Sequence, residues 1–113
     1  MLEADIQRLI QREACKSPFM RLFRNQTGMY KLEDGRVLQS GLAKGSADLI
    51  GWKTIEITPE MVGKKLAVFL SVEVKSAKGK LTPEQQNWLN TVNQVGGIAI
   101  VARSPQDIHG IQN

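Results

Sequence analysis

The chain contains little cysteine, histidine or aromatic residue, and each shortage excludes a class of site. Its 113 residues include one cysteine, one histidine and 5% aromatic residues. With Cys15 alone, an internal disulfide and a thiolate metal cage are both excluded. With His109 alone, a metal site built on several histidines is excluded as well. A core so poor in aromatic residues must be mostly aliphatic, and Cys15, late in a predicted helix, is expected to be a buried small apolar residue of that core.

Long apolar runs are also missing. No run approaches the ~20 residues that a membrane-spanning helix needs. The first residues, Met1-Leu2-Glu3-Ala4-Asp5, are too acidic for a signal peptide. Phosphate-binding Walker loops, nucleophile elbows and Cys/His zinc spacings do not occur. We therefore expect a cytoplasmic protein with no membrane partner.

Length and charge set broad limits on the fold and on the partners. A chain of 113 residues fits one domain, residues 1–113, with no room for a second core. Domains this small often self-associate, so a homodimer is a reasonable expectation. The 15 Lys and Arg residues against 11 Asp and Glu give a net charge of +4. That charge is compatible with a nucleic-acid partner but does not require one.

The periodicity of apolar residues predicts the elements of the first half. An amphipathic helix is expected over 2–15, with Gln7 and Gln11 turned away from the buried face. That face would consist of Leu2, Ile6, Leu9, Ile10 and Ala14. Further along, the patterns predict a strand over 19–25 after Pro18, extended pieces over 28–40 around the turn signal Asp34-Gly35, a glycine-rich loop over 41–46 and a strand over 47–52.

The second half contains the clearest strand and the clearest helix start. The apolar run 66–75 predicts a central strand covered on both faces. Thr82-Pro83-Glu84-Gln85 predicts a helix start with a capping box. The remaining expectations are a helical turn or loop at 58–60, a helix to Val95 that buries Trp88, Leu89, Val92 and Val95, a stop at Gly96-Gly97, a buried strand over 98–102 and a final helical turn from Ser104. The fold class is α/β, a mixed β-sheet flanked by helices with a right-handed strand–helix–strand crossover.

Three charged residues suggest chemistry on phosphodiesters. Glu73 and Lys75 lie two apart on the strand and therefore project from one face. Asp48 starts another strand after a glycine-rich loop that would let a phosphate backbone approach. Hydrolysis of a phosphodiester needs a cation, an activated water and help for the leaving oxygen, which two carboxylates and a lysine can supply. Each piece alone has an ordinary explanation, because Glu-x-Lys can be a surface pair and Asp48 a strand start or turn cap.

Longer motifs surround these residues. They are Gly45-Ser46-Ala47-Asp48-Leu49-Ile50, Val72-Glu73-Val74-Lys75, Gly79 to Gln86 and Gly96-Gly97. Together these segments resemble the VRR-NUC family of the PD-(D/E)xK nuclease superfamily, whose core is restriction-endonuclease-like. The resemblance covers nearly the whole chain. It departs at Ala47, where many relatives have a proline that is not itself catalytic.

The resemblance implies a metal site and its chemistry. Asp48 and Glu73 would bind Mg²⁺, for which Mn²⁺ would substitute, together with the main-chain carbonyl of Val74. Lys75 would orient or deprotonate the attacking water and stabilise the charged phosphate.

Other positions that match the family are less certain in role, and for Glu3 and Gln85 an ordinary structural role is an alternative. A glutamate on the first helix would join the metal shell, with Glu3 preferred and Glu13 as the fallback. Glu3 could instead simply favour the helix dipole. Gln85 resembles a recurrent glutamine that contacts the site or substrate, although it could equally be the capping partner of Thr82. Asn25 is a weaker candidate by analogy.

Basic residues near the predicted site are candidates for phosphate contacts, which position DNA without reading its sequence. Some of them could equally form an ordinary solvated face, and Lys44 and Lys78 are the better candidates. Trp52 and Trp88 are expected in the core rather than as platforms for bases. The basic candidates are Lys44, Lys78, Lys80, Arg24 and Arg21.

The expected function is a Mg²⁺-dependent, structure-selective endodeoxyribonuclease that acts on branched or four-way-junction DNA. Small free-standing members of the family resemble Holliday-junction resolvases, which work as symmetric dimers, so a homodimer is implied. A sequence-specific or nicking endonuclease with the same site is one rival. A DNA-binding module with an idle site is the other.

Overall fold

The computed structural model describes residues 2–112 and confirms the α/β class. The chain divides into two compact units, Met1–Ile55 and Glu56–Asn113. Two short 3₁₀ turns, Pro59–Met61 and Pro105–Ile111, occupy the positions predicted for helical turns. The helices and strands are α1 Glu3–Ala14, β1 Met20–Arg24, β2 Gly28–Lys31, β3 Val37–Ser40, β4 Leu49–Lys53, β5 Leu70–Val74, α2 Pro83–Gln94 and β6 Ile98–Ala102.

Among the described residues these strands form three two-stranded sheets. In the first unit β1 pairs with β4 and β2 with β3, both antiparallel. The predicted turn between β2 and β3 is confirmed, with Gly35 at φ +89° and the carboxylate of Asp34 bound to Arg36. In the second unit β5 and β6 are parallel and α2 connects them, as the strand–helix–strand pattern predicts.

The buried face of α1 differs from the prediction. The helix spans nearly the predicted residues. However, Gln7 and Gln11 are half-buried, although the sequence pattern predicts that they lie away from the buried face. The side-chain amide of Gln11 donates to the carbonyl oxygen of Leu22 at 3.0 Å. The predicted core residues are exposed except for half-buried Ala14: Leu2, Ile6, Leu9 and Ile10. Apolar spacing identifies an amphipathic helix. A hydrogen bond from a glutamine side chain to a strand carbonyl can nevertheless decide which face of that helix packs on the strand.

Cys15 is exposed, so its predicted burial is wrong. The residue falls at the C-cap of α1, one position beyond the last helical residue. Its backbone amide donates to Gln11 while the chain turns away from the helix axis. A small apolar residue at a helix end lacks the neighbours that an interior position would have.

The start of α2 is as predicted. The hydroxyl of Thr82 accepts from the backbone amide of Gln85 at 3.1 Å, and the Gln85 side chain accepts in return from the Thr82 amide at 3.0 Å. Pro83 is the first helical residue, and Gly96, at φ +100°, follows the helix end. Val92 is completely buried against β6, whose Ala99 and Ala102 are also buried, so the core of this unit lies between α2 and β6.

β5 is shorter than predicted and is not covered on both faces. The strand begins at Leu70 rather than residue 66, and its residues alternate between exposed and half-buried. Val72 and Val74 are 37% and 74% exposed, whereas α2 contacts the strand. An apolar run shows that a strand can be buried, but elements elsewhere in the chain decide how many faces are covered.

The two tryptophans pack against other aromatic side chains. Trp52 is half-buried, with its ring centroid 5.4 Å from that of Phe23. Trp88 remains 37% exposed, so α2 buries it only in part. Its indole nitrogen donates to the hydroxyl of Ser71 at 2.8 Å, and its ring meets that of Phe69 edge-on at 6.2 Å.

Within residues 2–112, no helix has both the length and the apolar character needed to cross a bilayer.

Candidate active site

β5 brings Glu73 and Lys75 together, as their spacing predicts. Both side chains are on the half-buried face of the strand, and their Oε1 and Nζ atoms are 3.8 Å apart. The Lys75 side chain is 19% exposed and that of Glu73 is 36% exposed. An ammonium held this close to a partly shielded carboxylate can orient a water or a phosphate oxygen bound beside it.

The carbonyl group of Val74 is turned away from β6. The amide of Lys75 donates to the carbonyl oxygen of Ala102 on β6 at 3.0 Å. All peptide bonds in the described chain are trans, so the carbonyl of Val74, in the same peptide group, points in the opposite direction. It lies between two residues whose side chains share one face, and its orientation suits the metal-ligand role that the resemblance implies.

An open cleft of about 220 Å³ lies between β5 and α2. Glu73 lines it from the strand, and Gln85 lines it from the first turn of the helix. The Oε1 atom of Gln85 is engaged with the Thr82 amide, while its Nε2 atom forms no hydrogen bond among the described residues. Gln85 can therefore cap the helix through its oxygen and present its amide nitrogen to the cleft. The remaining lining residues are Ser71, Glu84, Trp88, Leu89, Ala99 and Ile100.

Asp48 belongs to the first unit and lies one residue before β4. It is exposed, and among residues 2–55 its carboxylate forms no hydrogen bond or ion pair. It is therefore accessible to a cation or to solvent. Glu73 and Lys75 belong to the other unit.

Asn25 holds the loop that leads to Asp48. Its side-chain amide donates to the hydroxyl of Ser46 at 2.7 Å and to the carbonyl of Ala47 at 2.8 Å. Its side-chain oxygen accepts from the amide of Leu42 at 2.9 Å. In the sequence Asn25 is supported by weak analogy alone. A single asparagine after a strand does not indicate which backbone groups its side chain will contact.

A polar pocket in the first unit contains Asp48. Arg24 and Asn25 line it from β1 and just beyond, and Gln7 lines it from α1. Glu3 lies four residues before Gln7 and hence one turn away on the same helix face. Glu13 instead forms an ion pair with Lys16 at 2.8 Å. The other lining residues are Gln26 and Thr27.

The donor atoms present suit a hard cation. The carboxylates of Asp48 and Glu73 and the carbonyl of Val74 are all oxygen ligands, which Mg²⁺ prefers while it keeps several waters. No group of three or more His, Cys, Asp or Glu side chains arranged around a metal occurs in residues 2–112. Mg²⁺ held by one or two carboxylates needs no such group, because water and a carbonyl can complete its shell.

Four of the five basic candidates are exposed and form no ion pair within the described residues: Lys44, Lys78, Lys80 and Arg24. Arg21 is exposed too, but its Nη1 atom donates to the carbonyl oxygens of Ser17 and Met20 at 3.0 and 2.7 Å. Part of its hydrogen-bonding capacity is therefore used by the protein backbone.

The comparisons with known proteins gave one result. The family model described as the VRR-NUC domain matches residues 3–106, nearly the whole chain. No curated protein and no solved structure gives a match.

Proposed function

Because the chain belongs to the VRR-NUC family of nuclease domains, we propose that it is a Mg²⁺-dependent endodeoxyribonuclease selective for branched or four-way-junction DNA. One observation carries the nuclease chemistry: Glu73 and Lys75 are paired at 3.8 Å on the half-buried face of β5. The carbonyl between them is turned away from the sheet partner. We further propose that residues 1–113 act as one nuclease domain, in which Asp48 from the first unit serves the same reaction.

The metal ligands would be the carboxylates of Asp48 and Glu73 and the carbonyl oxygen of Val74, with Mn²⁺ able to replace Mg²⁺. A bound cation offsets charge on the scissile phosphate and lowers the pKa of a coordinated water. Asp48 suits this role because its carboxylate is exposed and has no partner in its own unit. Glu73 suits the role of metal ligand because its side chain, although close to Lys75, is still 36% exposed.

Lys75 would orient or deprotonate the attacking water and stabilise the charge that develops on the phosphate. Its ammonium is fixed near Glu73 rather than extended into solvent. A pre-placed cation can stabilise developing negative charge without reorganising during the reaction.

The two helices would contribute one residue each to the site. Glu3 would complete the metal shell, directly or through water, because it lies on the α1 face that carries Gln7 into the pocket of Asp48. Glu13 is the less suitable candidate, since its carboxylate is paired with Lys16. Gln85 would donate its side-chain amide to the site or substrate while its oxygen caps α2.

DNA would be held by the exposed basic residues, above all Lys44 and Lys78, with Lys80, Arg24 and Arg21 in support. Contacts of this kind bind phosphates and fix the register of the DNA without reading its sequence. The preference for junctions rests on the likeness of small family members to junction resolvases. A homodimer would supply two symmetric sites for two opposing strands.

The deciding experiment compares the wild type with Lys75→Ala on a labelled four-way junction and a matched linear duplex. The matched control is Lys64→Ala, which removes the same charge from an exposed lysine of the same unit. Each protein is incubated with Mg²⁺, with Mn²⁺ or with a chelator. We expect metal-dependent cutting of the junction by the wild type and control, and a loss of at least roughly a hundredfold in Lys75→Ala.

Each other outcome rejects a defined part of the proposal. Equal cutting of junction and duplex would reject structure selectivity, and discrete bands from linear plasmid DNA would indicate a sequence-specific enzyme. Salt-sensitive binding without any cutting would indicate a DNA-binding module with an idle site. The mass of the free and DNA-bound protein in solution tests the homodimer.

A further inference from the structure

Arg103 joins the end of β6 to the loop that follows Lys75. It is the first residue after β6, and its Nη1 atom donates to the carbonyl oxygens of Ser76 at 2.6 Å and Gly79 at 2.7 Å. Nη1 carries two N–H groups, so these two short bonds use both of them. A single guanidinium nitrogen thereby binds both ends of loop 76–79.

Arg103 is itself fixed to the structure around it. Its backbone amide donates to the carboxylate of Asp107 at 2.7 Å, and the same oxygen accepts from the amide of Ser104 at 3.1 Å. The preceding residue, Ala102, accepts from the amide of Lys75. The guanidinium therefore extends from a backbone that is tied both to the final 3₁₀ turn and to β5.

The loop bound by Arg103 runs beside the side chain of Lys75. A Cβ atom placed on Gly79 would lie 3.5 Å from both Cβ and Cδ of Lys75 and 3.2 Å from the hydroxyl of Ser76. The backbone at Gly79 therefore lies about one methyl group away from the aliphatic stem of Lys75. This proximity is in line with the 19% exposure of that side chain.

From these contacts we propose that Arg103 is a positioning residue for Lys75. By binding the carbonyls of Ser76 and Gly79, it holds loop 76–79 beside the lysine stem, which limits the positions of the ammonium and keeps it near Glu73. The planar guanidinium suits this role, because lysine at the same position would offer a shorter side chain with a single nitrogen. The catalytic consequence rests on the proposed nuclease function, whereas the effect on Lys75 itself does not.

The first test measures how accessible Lys75 is, without DNA or metal. Wild-type protein and Arg103→Ala are treated with a limiting amount of an amine-acetylating reagent, and the modified peptides are quantified by mass spectrometry. We expect Lys75 to be acetylated several-fold faster in Arg103→Ala, because release of the loop exposes its stem and ammonium. Lys64 should react equally in both proteins, and Arg36→Ala is the control variant in which an arginine of the first unit is removed.

The second test separates positioning from contact with DNA. We expect Arg103→Ala to lower kcat on the junction by roughly tenfold to a hundredfold, with KM and the salt dependence of binding unchanged. Lys78→Gln serves as the reference for a lost phosphate contact, for which the slope of log Kobs against log salt falls by about one. Arg103→Lys retains the charge and should still show faster acetylation of Lys75.

The outcomes separate the two proposals. Unchanged acetylation of Lys75 in Arg103→Ala would overturn the positioning role. If the slope of log Kobs against log salt also fell by about one in this variant, Arg103 would be a phosphate contact instead. If circular dichroism shows that Arg103→Ala does not fold, Arg103→Lys is used for the test instead. Acetylation of Lys75 at the wild-type rate in Arg103→Lys would then overturn the positioning role. If the wild type cuts no DNA, the proposed function fails, while the acetylation result still decides the inference about Arg103.

Discussion

Asn25 and Asp48 are joined through their backbones where β1 and β4 meet. The amide of Asn25 donates to the carbonyl oxygen of Asp48 at 2.8 Å, next to the last β1–β4 pair, Arg24 and Leu49. The side chain of Asn25 binds the preceding loop at three further points. The position of Asp48 therefore depends on one residue just after the neighbouring strand β1 as much as on its own loop.

Removing the Asn25 side chain should release this loop. We expect Asn25→Ala to lower kcat on the junction by roughly tenfold or more, because Asp48 loses its fixed position. Binding to DNA in the presence of chelator should weaken less than cleavage does, because Lys44 is one of five candidate phosphate contacts. Cleavage kinetics and binding titrations on the same DNA measure the two effects.

The control for this variant is Asn87→Ala, which removes an exposed asparagine on α2. It should retain full activity. If Asn25→Ala bound metal and cut DNA as the wild type does, the loop contacts would matter for stability alone.

The first helix offers a test of the metal shell. Glu3→Gln should raise the Mg²⁺ concentration needed for half-maximal cleavage, because a neutral amide is a weaker ligand than a carboxylate. Glu13→Gln should leave that concentration unchanged, since its carboxylate is paired with Lys16 on the protein surface. Metal titrations of the cleavage rate compare the two variants. A larger effect of Glu13→Gln would exchange the roles of the two glutamates.

Variants at the start of α2 can separate helix capping from catalysis. Thr82→Ala removes the hydroxyl that accepts from Gln85 and should cost about 1 kcal/mol of stability. Its cleavage rate well below the melting temperature should remain near that of the wild type.

Gln85→Glu should show the opposite result. Glutamate keeps an acceptor for the Thr82 amide at the capping-box position, so stability should be retained. The donor towards the cleft is lost, and the cleavage rate should fall. Thermal melts and initial rates on both variants are the measurements, and full activity of Gln85→Glu would leave this glutamine with a capping role only.

Gly51 is required where β4 passes β1. A Cβ atom on Gly51 would overlap the carbonyl oxygen of Arg21. We expect Gly51→Ala to destabilise the protein by roughly 1–3 kcal/mol, because the two strands must move apart. Gly110→Ala is the control, since a Cβ there meets nothing within 4 Å. Thermal unfolding of both variants tests this expectation, and equal melting temperatures would contradict it.

Local signals in the sequence were sufficient to predict most elements. Thr82 and Pro83 identify the start of α2, and Asp34-Gly35 identifies a hairpin turn, because each signal acts through neighbouring backbone groups. The packing of those elements was harder to predict. The apolar spacing of α1 did not reveal that Gln11 would reach the carbonyl of Leu22, since that contact depends on where another element lies.

The same distinction applies to the candidate site. The pairing of Glu73 with Lys75 follows from the two-residue repeat of a strand and could be predicted from spacing. The contacts of Arg103 with Ser76 and Gly79 join positions more than twenty residues apart. A lone arginine after an apolar strand gives no sign of its acceptors, so this contact became evident only in three dimensions.

The three side-chain hydrogen bonds of Asn25 have a consequence for the speed of DNA binding. They hold the loop with Lys44 and Asp48 in place in the free protein. DNA then meets a surface that is already formed, and no ordering of this loop slows the encounter. We therefore expect the association rate to be set by diffusion and by attraction between basic side chains and phosphates, and to fall as ionic strength rises. Encounters can then be brief and frequent, and DNA can leave before this loop has to rearrange.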